Sequence, residues 1–304
     1  MDYQAILNVI ETQLKEVDFG GSVPDYIPEL AAVPKDKFGM HLFWITGDHY
    51  AFGDTEELFS VQSISKVFTL TLAKMYAKEN VWKRVNVEPS GNPFNSLTEL
   101  EREDGIPRNP FINSGALVIA DILLTHLDDP KTELLEFVHH ITGDRTIAYD
   151  ENVYESEHQN GYRNYALVNY MKALGNIRND VEDILDFYFH QCSLAMSCRQ
   201  LAKAFMVYAN KGRILETNED IIAGKEAKRI DAIMQTCGFY DEAGEFTYRV
   251  GLPGKSGVGG GIVAVHPGEY SVAVWSPLLN KKGNSKKGMR ALEELTELTG
   301  SSIF

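Results

Sequence analysis

Ser63 and Lys66 stand three residues apart in Val61–Gln62–Ser63–Ile64–Ser65–Lys66–Val67–Phe68, where an apolar helical periodicity begins. On a helix, positions i and i+3 share a face one turn apart, so the lysine amine can lie beside the serine hydroxyl. A serine hydroxyl is a weak nucleophile near neutral pH and needs a neighbouring base. A lysine meets that need once desolvation or nearby positive charge lowers its pKa. The same residues also suit a helix N-cap serine followed by an exposed lysine, so the pair alone leaves both readings open.

A second element lies nearly two hundred residues later, in Gly251–Leu252–Pro253–Gly254–Lys255–Ser256–Gly257–Val258–Gly259–Gly260–Gly261, which reads as a loop feeding a strand. Penicillin-recognising serine enzymes pair Ser-x-x-Lys with Lys-Thr-Gly on a strand edge, and Lys255–Ser256–Gly257 has that chemistry in that chain order. Glycines here let backbone N–H groups approach a ligand and face an oxyanion. A phosphate loop is excluded, because the lysine precedes the glycine run and a strand follows it.

Between the two elements stand Gly105–Ile106–Pro107–Arg108–Asn109–Pro110–Phe111–Ile112–Asn113–Ser114–Gly115–Ala116, Val153–Tyr154–Glu155–Ser156–Glu157, Gly161–Tyr162–Arg163–Asn164 and Tyr188–Phe189–His190–Gln191–Cys192–Ser193. Thr236–Cys237–Gly238–Phe239–Tyr240–Asp241 follows. Together with the Ser-x-x-Lys and Lys-Ser-Gly segments, this ordered set closely resembles the serine-dependent glutaminases, over roughly residues 20 to 295.

The resemblance implies hydrolysis of the side-chain amide of L-glutamine through an acyl-enzyme on Ser63, with Lys66 as principal base and no cofactor or metal. It implies an oxyanion hole from the backbone N–H groups of Ser63 and Val258. Tyr26 and Tyr240 match positions facing the nucleophile, where either could relay protons or hold the ammonia-bearing group. Glu157 matches the position that pairs with the substrate α-ammonium, and Asn113, Asn164 and Tyr188 match positions contacting the amino-acid head or the reacting end. Read without the resemblance, Asn113 is a helix N-cap and Glu157 a solvated loop acid. Lys255 either adds positive field beside Lys66 or is held structurally by backbone carbonyls. Departures from the family pattern are mild: Phe111 where methionine is common, Ser114 where alanine is common, and Gly254 where alanine often precedes the lysine.

Two other functions fit parts of this pattern. A penicillin-interactive serine hydrolase shares the Ser-x-x-Lys logic, but a clear Ser-Asp-Asn element is missing from the helical region. A non-catalytic glutamine sensor would have no need to keep Ser63, Lys66, Tyr26 and Tyr240 together.

Composition narrows the field further. The 304 residues suffice for a large core, and the net charge of −14 argues against nucleic acid, whose phosphates demand a basic face. No run of eighteen apolar residues and no basic leader pattern appears, so the expectation is a cytoplasmic protein without membrane contact. Cys192, Cys198 and Cys237 have neither metal-like nor redox spacing and read as buried thiols. His139 and His140 are adjacent in a helical stretch and point to different sides, which suits a surface. Related glutaminases are commonly dimers or tetramers, which implies a homo-oligomer here.

Periodicity places these residues on elements. Tyr3, Ile6, Leu7, Ile10, Leu14 and Val17 predict an opening amphipathic helix over 3–17. Residues 38–46 and 49–54 flank Gly47–Asp48 as a hairpin. Helices are expected over 64–78, 114–126, 131–141, 162–174, 180–190, 197–211 and 224–236, and strands over 244–250, 259–266 and 269–276. A final helix spans 286–298. Strands at both chain ends with helices between them give an α+β architecture. The expected unit is a single catalytic body over 1–304, its sheet-containing part drawn from 1–62 and 225–304 and its mainly helical part from 63–224. The resemblance implies the serine β-lactamase/transpeptidase-like fold, an antiparallel sheet with flanking helices and an inserted helical domain.

Overall fold

In the computed structural model, which describes residues 1–91 and 97–304, strands from the two chain ends form one antiparallel sheet. Its order across the sheet is His49–Gly53, Gly39–Trp44, Tyr270–Trp275, Gly261–His266 and Gly254–Ser256. Alternation of side chains along a strand gives each face its own core. Val263, Val265, Ala273 and Trp275 join the large core of the central helices. Ile262, Ala264, Val272 and Val274 point the other way and pack with Met40, Leu42 and the apolar stripes of the Tyr3–Leu14 and Lys286–Thr299 helices. The chain thus has the serine β-lactamase/transpeptidase-like α+β fold, with terminal helices covering one face of the sheet.

The expected helices form close to their read limits: Ser65–Ala77, Asn113–His126, Pro130–Thr142, Tyr162–Ala173, Val181–Ser193, Cys198–Ala209 and Gly224–Cys237. Ser197 starts one of them with a capping box, its hydroxyl accepting from Gln200 N while the Gln200 side chain accepts from Ser197 N. One expected strand is a helix. Residues Ala243–Arg249 alternate like a strand, yet Ala243, Phe246 and Val250 fall at helical spacing and bury together, with the Phe246 ring stacked on Phe239 at 3.6 Å. His139 also departs from its surface expectation: it is buried, with Nε2 against the Ile147 carbonyl at 2.8 Å, while His140 is exposed.

A small second sheet does most of the positioning. Leu194–Met196 pairs on one side with Phe59–Ser60 and on the other with Ala148–Tyr149. Flanking bonds extend the junction: Val61 N donates to Leu194 O at 2.9 Å, Asp150 N to Ser193 O at 2.9 Å, and Ser60 Oγ to Cys192 O at 2.9 Å. Three segments distant in sequence are thereby fixed side by side. One runs on into Ser63, one into the helix carrying Glu157, and one arrives from the helix carrying Tyr188.

Candidate active site

Ser63 lies in a single 3-10 turn, Gln62–Ile64, that leads directly into the Ser65–Ala77 helix. Gln62, the residue before it, holds φ at +49°, a left-handed conformation that costs a non-glycine residue about 1–3 kcal/mol and persists only where packing imposes it. The packing comes from the glycine-rich segment. A Cβ on Gly257 would stand 2.3 Å from the Val61 carbonyl oxygen, and one on Gly259 would stand 2.1 Å from the Ser60 carbonyl oxygen. Only glycine allows that approach, so here these residues bring Val258 against the turn holding Ser63. The Val258 N–H donates to no group among the described residues.

Lys66 is buried, 1 % exposed, and its amine donates to the Asn113 side-chain oxygen at 2.7 Å and the Phe111 carbonyl at 3.2 Å. Among the described residues it forms no ion pair. Burial lowers its pKa to about 8, against smaller opposing effects of Cys192 and Glu157. Lys255 is buried as well. Its amine donates to the Ser256 carbonyl and lies 4.6 Å from the centre of the Tyr240 ring. Burial first, and repulsion from Lys66 second, hold its pKa well below the usual lysine value. Two buried ammonium groups disfavour each other, so neither keeps its ordinary charge without cost.

Tyr240 also has positive φ, +56°, and Ser63 and Ser256 lie near enough to its hydroxyl to oppose part of the rise in its pKa. Burial pushes its pKa up to about 12, so the phenol stays protonated near neutral pH. Tyr26 has a different partner: its hydroxyl donates to Glu157 Oε1 at 2.7 Å. Burial of that hydroxyl end and the adjacent carboxylate hold its pKa well above the usual value.

Glu157 belongs to the Glu151–Asn160 helix, which starts at an Asp150 cap. Only Val153 and Glu157 of that helix are buried, one turn apart on one face. Val153 packs with Ile27 and Leu30, and Val258 adds to the cluster, tying the Tyr26 loop to both site elements. Burial raises the Glu157 pKa, and the Tyr26 hydrogen bond, with Gln62 nearby, partly opposes the rise. Asn113 Nδ2 donates to Asn164 Oδ1 at 3.0 Å, which links the lysine to the Tyr162–Ala173 helix.

Tyr26, Ser63, Asn113, Glu157, Asn164, Tyr188 and Val258 meet on the wall of one cavity of about 180 Å³. Lys66 and Tyr240 are not on that wall; Lys66 is joined to it through Asn113, and Tyr240 sits near Ser63. Gln62, Asn160, Gly161, Arg163 and Cys192 line the cavity too, beyond the residues that sequence reasoning singled out. Gln62, Gly161, Arg163 and Cys192 stood inside the quoted motifs, so adjacency to Ser63, Glu157 and Tyr188 was the available signal; Asn160 lay just outside them. An enclosed serine three residues before a buried amine, with an acid on the wall of the same small cavity, is suited to acyl transfer on a small zwitterion.

The glutaminase family model matches residues 21–304. The chain belongs to the glutaminase family. A glutaminase of Christiangramia forsetii is 66% identical over 304 residues, covering 100% of both chains. Among solved structures, the probable glutaminase ybaS superimposes with a TM-score of 0.94 at 31% identity, covering 99% of this chain and 97% of that one. Mglu, solved in its glutamate form, gives 0.93 at 31% identity over 100% of this chain and 70% of its own. The penicillin-interactive alternative falls with this family assignment.

Among the described residues no group of three or more His, Cys, Asp or Glu side chains is arranged to hold a metal ion. Ser–Lys chemistry requires none. Dialysis against a chelator should therefore leave ammonia release from glutamine unchanged, and a loss of activity restored by a divalent cation would contradict the metal-free mechanism.

Proposed function

We propose that this member of the glutaminase family hydrolyses L-glutamine to L-glutamate and ammonia through an acyl-enzyme on Ser63, with Lys66 as base. The observation that carries the reading is the hydrogen bonding of the buried Lys66 amine to Phe111 O and Asn113 Oδ1. A neutral amine has two N–H groups and one lone pair. Phe111 O and Asn113 Oδ1 account for both N–H groups, which leaves the lone pair to take the Ser63 proton. Ser63 Oγ then bonds to the side-chain carbonyl carbon, and the oxyanion falls to the Ser63 and Val258 N–H groups. The C–N bond breaks as the nitrogen takes the proton that Lys66 received, relayed through Tyr240, and leaves as ammonia, which returns Lys66 to its neutral form. Water, deprotonated by Lys66, releases glutamate by the reverse sequence. Tyr240, held protonated by burial and placed near Ser63, suits relay of a proton to the departing nitrogen. Tyr26 suits a different task, orienting Glu157.

Glu157 is the proposed anchor of the α-ammonium, with Asn113, Asn164 and Tyr188 around the rest of the substrate. A buried carboxylate whose pKa is raised by desolvation gains most from an incoming cation. Glu157→Gln should raise KM for glutamine at least tenfold with a smaller effect on kcat, and the penalty should shrink markedly for N-acetylglutamine, which lacks the ammonium. Steady-state ammonia release from both substrates is the check. Equal slowing of the two would remove Glu157 from the α-amino role.

The same reading treats residues 1–304 as one catalytic body, with the sheet-containing portion from 1–62 and 225–304 and the helical portion from 63–224 closing on the cavity. It places the enzyme in the cytoplasm, in keeping with three buried free cysteines. No helix among the described residues is long and apolar enough to cross a membrane. It further takes the enzyme as a homo-oligomer, dimer or tetramer.

A further inference from the structure

Tyr240 holds its left-handed backbone at the start of a short 3-10 turn, Tyr240–Glu242, and a non-glycine residue keeps that conformation only where its surroundings impose it. One side chain from a distant part of the sequence reaches both ends of that turn. Asn284 is fully buried, in the connection between the Tyr270–Trp275 strand and the Lys286–Thr299 helix. Its Nδ2 donates to the Phe239 carbonyl at 3.4 Å and to Glu242 Oε2 at 2.5 Å, and its Oδ1 accepts from Ser256 Oγ at 2.6 Å. A carbonyl only accepts, so the amide nitrogen faces Phe239 and the amide oxygen is left for the serine. A single amide thus bonds to the residue before Tyr240, to the side chain two residues after it, and to the serine lying near its hydroxyl.

Asn284 is itself fixed by Asn280. Asn284 N donates to Asn280 Oδ1 at 3.1 Å, Asn280 N donates to the Asn284 carbonyl at 2.8 Å, and Asn280 Nδ2 donates to the same Glu242 Oε2 at 2.7 Å. The turn they form lies directly on the active-site residues: a Cβ on Gly283 would stand 3.5 Å from Val258 Cγ1 and 3.6 Å from the Tyr240 ring, in van der Waals contact with both. Asn284 is not on the wall of the substrate cavity. Any influence it has on the reaction must therefore pass through the groups it bonds.

We propose that Asn284 is a positioning residue for the reaction, which joins Phe239, Glu242 and Ser256 and so holds the Tyr240 phenol where a proton passes to the departing nitrogen. The inference rests on the relay role given to Tyr240 above. Its consequence is specific to the leaving group. An amide nitrogen must gain a proton before its bond to carbon breaks, whereas methoxide leaves a tetrahedral intermediate without one.

The test is steady-state kcat/KM of the full chain with L-glutamine and with the γ-methyl ester of L-glutamate. Tyr240→Phe should slow glutamine at least about a hundredfold and the ester less than about tenfold. Asn284→Ala should slow glutamine at least about tenfold and the ester less than about threefold. In a Tyr240→Phe background it should cost less than about threefold further on glutamine, because the group it positions is already gone. Glu242→Ala, at a half-buried position, removes one anchor of the amide and should repeat the selectivity, which reads the same interaction if Asn284→Ala folds poorly. Glu242→Gln keeps an acceptor oxygen and should stay within about twofold of the native enzyme. Equal losses on both substrates, or independent losses in the double variant, would make Asn284 a structural residue and overturn the inference while leaving the Tyr240 relay in place. If Tyr240→Phe itself slows both substrates alike, the relay fails and the inference falls with it.

Discussion

Ser63→Ala should eliminate turnover, with kcat falling by more than about a thousandfold, while the protein keeps its fold and still binds glutamine. A thousandfold loss corresponds to about 4 kcal/mol of transition-state stabilisation. The change deletes one oxygen atom at the cavity wall. What holds the local backbone is elsewhere: the Val61 and Ser60 bonds to the Leu194–Met196 region and the close approach of Gly257 and Gly259. Thermal unfolding should consequently stay within a few degrees of the native enzyme, and calorimetric titration with glutamine should still show binding. Residual turnover above one part in a thousand, with folding intact, would mean that no serine ester lies on the reaction path.

How much of this arrangement is visible in the chain alone depends on the kind of signal each element leaves. The Ser65–Ala77 and Asn113–His126 helices announce themselves because most of their residues are apolar and buried, and the Lys66–Asn113 contact follows from how those helices pack. The Glu151–Asn160 helix leaves almost no periodic trace, since only two of its residues are buried, so Glu157 reads as a loop acid until the small sheet fixes where its helix starts. Residues 243–249 fail for the opposite reason. Aromatic and β-branched residues there alternate well enough to look like a strand, and only packing on Phe239 selects the helix. The partner of Tyr26 is a third kind of case. A tyrosine and a glutamate 131 positions apart carry no local sign that one donates to the other, and the bond exists because Ile27, Leu30 and Val153 pack together. The left-handed backbone at Gln62 and Tyr240 is also unreadable locally, because non-glycine residues take it only under tertiary constraint. The glycines of the 254–261 segment were legible as a close approach, but the surface approached is the backbone ahead of Ser63.

The Lys66→Met prediction tests the base directly and carries its own pH signature. Methionine roughly preserves the buried volume, so the helix stays packed, although Asn113 Oδ1 and Phe111 O lose their donor. Turnover should drop by at least about a thousandfold, comparable to the loss of the nucleophile, because the two groups act as a unit. On the proposed mechanism the amine must be neutral to accept the Ser63 proton. Lowering the pH through about 8 protonates it, so kcat/KM should fall on the acid side, approaching tenfold per pH unit well below that value. In its proposed role Glu157 bears on the same limb with the same sign, since protonating it at lower pH would remove the counter-charge proposed for the substrate ammonium, and its Gln variant separates the two contributions. Tyr240 and Tyr26 cannot generate that limb, because burial keeps both phenols protonated at and above neutral pH. Whatever slow turnover Lys66→Met retains should have lost the inflection near 8. If the variant instead keeps a tenth of native activity with the inflection in place, the titrating base is another group, and the buried amine between Phe111 and Asn113 serves only to hold the helices together.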